Sequence, residues 1–374
     1  MTLIAILITL LYLALIGSLI IGFDKVDSFL LQDIPANTKF SIIIPFRNEA
    51  NNLPKLLHSI SKLNYPKTKF EIIFVDDAST DASLEILQGF LKKEGSNCAI
   101  ISNKRTTNSP KKDAISLAIQ HSKYDWIVTT DADCCLPKYW LDSFDVFIQK
   151  TNSDFISAPV TYKNPENFLE RFQLLDVLSL QAATIGGFGI KRPFLCNGAN
   201  LAYKKSLFKL LNGFDGNSNI ASGDDIFLLQ KALKTRTLKV AYLKCEHAIV
   251  RTQPQANFKN LVSQRVRWAA KTQTYKNGFG KLTGFVILLM NALLLSGILL
   301  CFVDILKWHI LFYLAIIKLS IDVLLIYKGA SFFDQKEALR SYIFGFLIYP
   351  FFSVYIAFLS FFKGYKWKGR PYNK

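Results

Sequence analysis

The chain has 374 residues, an apolar fraction of 51% with 31 Phe, and a formal net charge of +17. At that length one sizeable catalytic domain plus accessory elements is expected, because single cores rarely grow beyond about 250–300 residues. A positive surplus suits nucleic acid, anionic lipid or an anionic small substrate, but the apolar excess gathers at the two ends and no aromatic-laced basic strands appear, which excludes nucleic acid.

Residues 1–23 carry no charge and are long enough to cross a bilayer, which takes roughly 20 residues. No Lys or Arg precedes Lys25, and Ile20, Ile21 and Phe23 make a poor cleavage site. The segment therefore reads as an uncleaved anchor, followed by a linker over 24–39. From Phe40 short β-rich runs alternate with helical stretches. Ser41 to Pro45 precedes a helix from about Asn51, and Glu71 to Val75 precedes one from about Ala82. Ala99 to Ser102 precedes a helix from Lys111, and Trp126 to Thr130 follows. Such alternation implies parallel strands with crossover helices in an α/β sandwich.

Ligands of open α/β sheets bind beyond the carboxyl ends of the strands. There the chain carries Arg47-Asn48-Glu49, then Asp76-Asp77, then Asp131-Ala132-Asp133. One such cluster would be loop polarity; three at successive strand ends argue for a nucleotide and metal site. Asp131 and Asp133 bracket a small residue and can offer oxygen to a hard divalent ion, which typically takes one or two carboxylates plus phosphate oxygens and water. The six Cys show no metal-ligand spacing, and the lone His247 reads as structural.

Further along, Phe168, Leu169, Phe172 and Leu175 recur at helical spacing, as packing or membrane contact. Gln264, Arg267 and Trp268 fall at i, i+3 and i+4 and so share a helix face. Arg265, Arg267 and Lys271 would suit an interfacial helix facing lipid headgroups. Apolar stretches follow at 282–303, 308–327 and 341–362, the second holding Lys318 and Asp322, four apart on one face. Lys and Arg near the segment ends place the basic middle domain inside the cell. The basic tail 363–374 also prefers the cytoplasm, so one stretch is a candidate for re-entry, with Tyr349-Pro350 as the break.

Several pieces in order carry a family resemblance: Ser41 to Ala50, Val75 to Asp81, Asp131-Ala-Asp133, Ser222-Gly-Asp-Asp225 and Gln264-Arg-Val-Arg-Trp268. Over roughly residues 40 to 270 the chain resembles inverting family 2 glycosyltransferases, including ceramide-glucosyltransferase-like and polysaccharide-synthase-like enzymes. The resemblance implies a GT-A fold, a Rossmann-like mixed sheet, over 40–275. It would be joined to one N-terminal and two to three C-terminal transmembrane helices over 282–362.

By that resemblance Pro45, Arg47, Glu49, Asp76 and Asp77 hold the uridine end of a UDP-sugar, with Lys111 and Lys112 near its base or phosphates. Asp131 and Asp133 bind Mg²⁺ or Mn²⁺ on the diphosphate. Asp225 is the general base, with Asp224 the second candidate. Arg267 meets the donor diphosphate, while Gly198, Asn200, Gln264 and Trp268 face the acceptor. The implied enzyme is a multi-pass inner-membrane glycosyltransferase with a cytoplasmic catalytic domain, acting on a lipid or glycan acceptor. A processive polysaccharide synthase is one competing reading, a non-catalytic membrane binding or transport protein another.

Overall fold

The computed structural model describes residues 1–94, 97–218, 220, 222–272, 274–362, 365–367 and 370–372. Two compact units divide the chain. One comprises Asp27–Lys163 and Leu195–Gln253; the other comprises Met1–Val26, Asn164–Phe194 and Pro254–Lys374.

The first unit is built on strands β1 (Phe40–Phe46), β2 (Phe70–Asp76), β3 (Cys98–Ser102), β4 (Trp126–Thr129), β5 (Phe155–Ser157), β6 (Val160–Tyr162), β7 (Leu201–Lys204), β8 (Val240–Tyr242) and β9 (Val250–Thr252). A seven-stranded sheet runs β3-β2-β1-β4-β7-β5-β8, and β6 pairs with β9 separately. Strands β3, β2, β1 and β4 are mutually parallel, with Ile42 opposite Ile72 and Val128. Strand β7 enters antiparallel between β4 and β5. The sheet is thus mixed, as expected.

Continuous apolar sequence rather than alternation marks β1 and β2, because helices cover both faces of a parallel strand. Phe40, Ile42, Ile43 and Ile44 are fully buried accordingly. Each such side chain contributes roughly 1.5–3 kcal/mol by leaving water. Helices Leu53–Ser61, Ser83–Glu94, Pro110–His121 and Trp140–Thr151 follow the four parallel strands. Parallel pairing brings the carboxyl ends of β1, β2 and β4 to one edge, and the acidic loops with them.

The second unit is helical: Thr2–Lys25, Phe168–Gly189, Phe258–Thr272, Gly278–Phe302, Trp308–Phe332 and Tyr342–Phe362, followed by the antiparallel pair Tyr365–Trp367 and Arg370–Tyr372. Among the described residues four helices are long and apolar enough to cross a membrane: Thr2–Lys25, Gly278–Phe302, Trp308–Phe332 and Lys336–Phe362. The last runs unbroken through Pro350, so Tyr349-Pro350 is no break. Helix Phe168–Gly189, expected within the catalytic domain, joins this unit. It crosses the first helix so closely that a Cβ on Gly22 would lie 2.1 Å from the Gly186 carbonyl oxygen. Small residues permit such backbone approach between helices.

Lys318 and Asp322 form an ion pair of 2.5 Å, and Tyr12 from the first helix donates its hydroxyl to the same carboxylate. At the end of that helix Asp24 pairs with Lys328 at 2.7 Å. Lys363, Lys368 and Lys374 of the basic tail lie outside the described residues.

Candidate active site

The loop after β2 turns through Ala78 at φ +57°, a left-handed conformation uncommon without glycine. Arg47, at the end of β1, holds that turn: its guanidinium donates to the carbonyls of Asp77 and Ala78 at 2.6 and 2.7 Å. Asp76 accepts from the Ser79 amide at 2.9 Å. Asp77 accepts from Asn103 at 2.9 Å and from Arg105 Nε at 2.6 Å. Glu49 is buried and accepts from Asn52 at 2.7 Å, while its amide donates to Ser83. Two neighbouring strand ends are thereby laced into one acidic wall. Arg105 and Asn103 went unnoticed in the sequence, although the strand-end rule that picked out Asp77 also covers the loop after β3.

Helix Pro110–His121 begins with proline at its first position, where the missing N–H costs nothing. Its second residue, Lys111, reaches Asp131 at 2.7 Å and Asp224 at 3.4 Å. Burial alone would lower the lysine pKa; the charges of Asp131 and then Asp224 outweigh it and hold the ammonium well above its ordinary value. Lys112 does not join it. That side chain is buried, donates to the carbonyls of Asn217 and Ile220 at 2.7 and 2.8 Å, and sits over the Phe227 ring. Successive residues on a helix diverge by about 100°, and Lys112, which the resemblance places near the donor base or phosphates, turns toward Asn217 and Ile220.

Beyond β4, Asp131 and Asp133 are partly exposed while Ala132 and Cys134 are buried in the core. Burial, then the charges of Asp133 and Asp131, push the Cys134 thiol up. Two carboxylates beside a diphosphate fit a hard divalent ion. Among the described residues no group of three or more His, Cys, Asp or Glu could hold a metal without such help. His247 is exposed and meets the edge of Tyr139.

Thr129 Oγ donates to the Gly198 carbonyl at 2.8 Å, drawing the Asn197–Asn200 turn against the end of β4. Gly198 in turn donates its amide to Asp225 Oδ2 at 3.1 Å. A Cβ on Gly198 would lie 2.8 Å from Asp224 Oδ2, so glycine is what lets this turn approach. Asp224 and Asp225 open helix Asp224–Lys234 behind Gly223 at φ +85°. The positive end of the helix dipole favours both carboxylates there.

Asn200 is fully buried. Its amide donates to the carbonyls of Pro159 and Ala248 and accepts from Trp140 Nε1, all within 2.9 Å. Its side-chain amide is thus engaged within the protein and braces the turn that carries Gly198.

Gln264, Arg267 and Trp268 lie on helix Phe258–Thr272 of the helical unit and are partly buried. Arg265, expected among headgroups, is only 6% exposed and pairs with Asp176 at 2.7 Å.

Residues 41–211 match the family model described as Glycosyl transferase family 2. A poly(ribitol-phosphate) beta-N-acetylglucosaminyltransferase of Staphylococcus aureus is 30% identical over 118 residues, 32% of this chain and 20% of that protein. An undecaprenyl-phosphate 4-deoxy-4-formamido-L-arabinose transferase of Pseudomonas paraeruginosa is 35% identical over 94 residues, 25% of this chain and 27% of that protein. The chain thus spans a quarter or so of the length of these two relatives. A mannosyltransferase of Pyrobaculum calidifontis, solved with GDP-Man and Mn²⁺, superposes with a TM-score of 0.55 at 16% identity, covering 96% of this chain and 99% of that one. The expected GT-A fold is present.

Proposed function

We propose that this chain, through its glycosyl transferase family 2 domain, moves a sugar from a nucleotide sugar, read as a UDP-sugar, to a lipid or glycan acceptor at the cytoplasmic membrane surface. The transfer is a single displacement with inversion. The observation that carries this reading is the Lys111 ammonium, 2.7 Å from Asp131 and 3.4 Å from Asp224. It gathers the Asp-X-Asp pair and the Asp224-Asp225 pair into one small volume at the carboxyl ends of parallel strands.

In this reading Glu49, Asp76 and Asp77, in the loops shaped by Pro45 and Arg47, accept hydrogen bonds from the nucleoside. Lys111 offers its charge to the diphosphate as a point donor. Asp131 and Asp133 would hold Mg²⁺ or Mn²⁺, which when bound neutralises the charge growing on the departing nucleotide. Asp225 takes the acceptor hydroxyl proton: the Gly198 and Ile226 amides, at 3.1 and 2.7 Å, fix its orientation while it remains partly exposed. Asp224 is the more buried of the two and anchors Lys111. Arg267 meets the diphosphate, and Gln264 and Trp268 meet the acceptor.

Two observations favour an anionic lipid-linked acceptor: the net charge of +17 and four helices apolar enough to span a bilayer. The names of the two relatives, which carry poly(ribitol-phosphate) and undecaprenyl-phosphate, point the same way. The test is nucleotide release by detergent-solubilised protein, supplied with membrane lipid extract, across UDP-sugars and GDP-mannose with Mg²⁺ or Mn²⁺. Metal-dependent release with a subset of donors is expected. Neither release nor nucleotide binding by folded protein would overturn the reading in favour of a binding or transport role.

A further inference from the structure

Asp176 lies mid-way along helix Phe168–Gly189, a position where a carboxylate has no intrinsic reason to be buried, yet it is 7% exposed. Its Oδ2 accepts from Arg265 Nε at 2.7 Å, and its Oδ1 accepts from the Tyr349 hydroxyl at 3.1 Å. Three helices therefore meet at one carboxylate: Phe168–Gly189, Phe258–Thr272 and the span Tyr342–Phe362. An apolar cluster of Phe172, Leu261, Val266, Phe352, Ile356 and Leu359 packs the same three helices together.

The guanidinium held by Asp176 reaches further. Arg265 lies over the Trp268 ring at 4.2 Å from its centroid and also donates to the Gln264 side-chain oxygen. Both neighbours are the residues that the proposed reaction assigns to the acceptor. A guanidinium held over an indole and anchored by a carboxylate is fixed from two directions. The indole is thereby fixed with it.

We infer that Asp176, Arg265 and Tyr349 are positioning residues that orient Gln264 and Trp268 for the acceptor, with Tyr349 supplying the link from a membrane span. The inference rests on the acceptor role proposed for Gln264 and Trp268. Its physical logic is that a buried ion pair is weak evidence of stabilisation, because desolvation offsets the Coulombic gain and an apolar pair of similar volume often does as well. What the apolar pair cannot supply is the hydrogen-bonded cation held over Trp268.

The test uses the full-length protein in detergent with membrane lipid extract. Asp176→Asn alone strands a buried guanidinium and is prone to misfold, so the informative variants are Tyr349→Phe and the double Asp176→Leu, Arg265→Met. Trp268 emission is read as the difference between each protein and its Trp268→Phe counterpart. Transfer from the donor found active in the panel is split into kcat and acceptor KM, with nucleotide affinity measured separately. The double variant is expected to keep its Tm and nucleotide affinity, to shift the Trp268 emission, and to lose about 10-fold or more in transfer, since misplaced contacts cost that much even away from the chemistry. Tyr349→Phe is expected to shift both in the same direction by less. If the double variant keeps the wild-type Trp268 emission and wild-type transfer, the triad is structural only and the inference is overturned. If the wild type turns over no donor, the reaction reading fails while the Trp268 emission still decides whether Arg265 orients the indole.

Discussion

The Gly198 amide donates to Asp225 Oδ2 at 3.1 Å, and a Cβ on the same glycine would lie 2.8 Å from Asp224 Oδ2. One residue without a side chain thus sets the position of both carboxylates at the head of helix Asp224–Lys234. Gly198→Ala should force Asp224 or the turn to move while leaving the core intact. We expect a fall in kcat of about 10- to 100-fold, the scale of a small misplacement of catalytic groups, with little change in Tm. Steady-state kinetics beside thermal unfolding checks this, and unaltered kcat would show that the turn yields freely.

Asn200→Ala should act on folding rather than on the acceptor. It removes the partner of Trp140 Nε1 and of the Pro159 and Ala248 carbonyls, all buried. Each buried group left unsatisfied costs about 1–3 kcal/mol. A large drop in Tm with unchanged acceptor KM in the folded fraction is expected; a normal Tm with a raised KM would restore Asn200 to the acceptor site.

Asp154 ties the far side of the sheet together, accepting from Lys204 Nζ at 2.7 Å and from the Lys239 amide at 2.9 Å. Burial raises its pKa, but Lys204 and the Lys239 amide outweigh that and hold it below the ordinary carboxylate value. A depressed folded pKa means stabilisation present above the unfolded value of about 3.9 and lost as pH falls through the folded one. The Tm deficit of Asp154→Asn should therefore be constant from neutrality to mild acid and vanish only at strongly acid pH. A deficit that grows on acidification would contradict the sign.

Chelation tests the Asp131–Asp133 pair. If those carboxylates hold the divalent ion, EDTA should abolish donor turnover and Mg²⁺ or Mn²⁺ restore it, and Asp133→Ala should raise the metal concentration needed for half-maximal rate. Turnover that persists in EDTA would leave diphosphate neutralisation to Lys111 and Arg267.

Much of this arrangement was legible in the chain. The strands of the parallel half carry apolar runs such as Ile42 to Ile44 and Ile72 to Val75, as a sheet covered on both faces tolerates, and the acidic loops follow directly at their carboxyl ends. Other features depend on phase and on distant partners. Lys111 and Lys112 are adjacent and chemically alike, and only the helix phase sends one to Asp131 and the other to the Asn217 and Ile220 carbonyls. Asn200 and Gly198 sit in one turn, yet one is a buried strut and the other borders the carboxylates. Arg265 reads as a headgroup contact until Asp176, 89 residues away in sequence, turns it inward.

The most direct measurement of the central claim compares nucleotide release by the wild type and by Asp225→Asn, with nucleotide affinity determined for both. A general base contributes roughly 10²- to 10⁴-fold. The predicted result is at least about a 100-fold loss of release in the variant with nucleotide affinity unchanged. A variant that binds nucleotide and releases it at the wild-type rate would contradict Asp225 as the base and the single-displacement reading built on it.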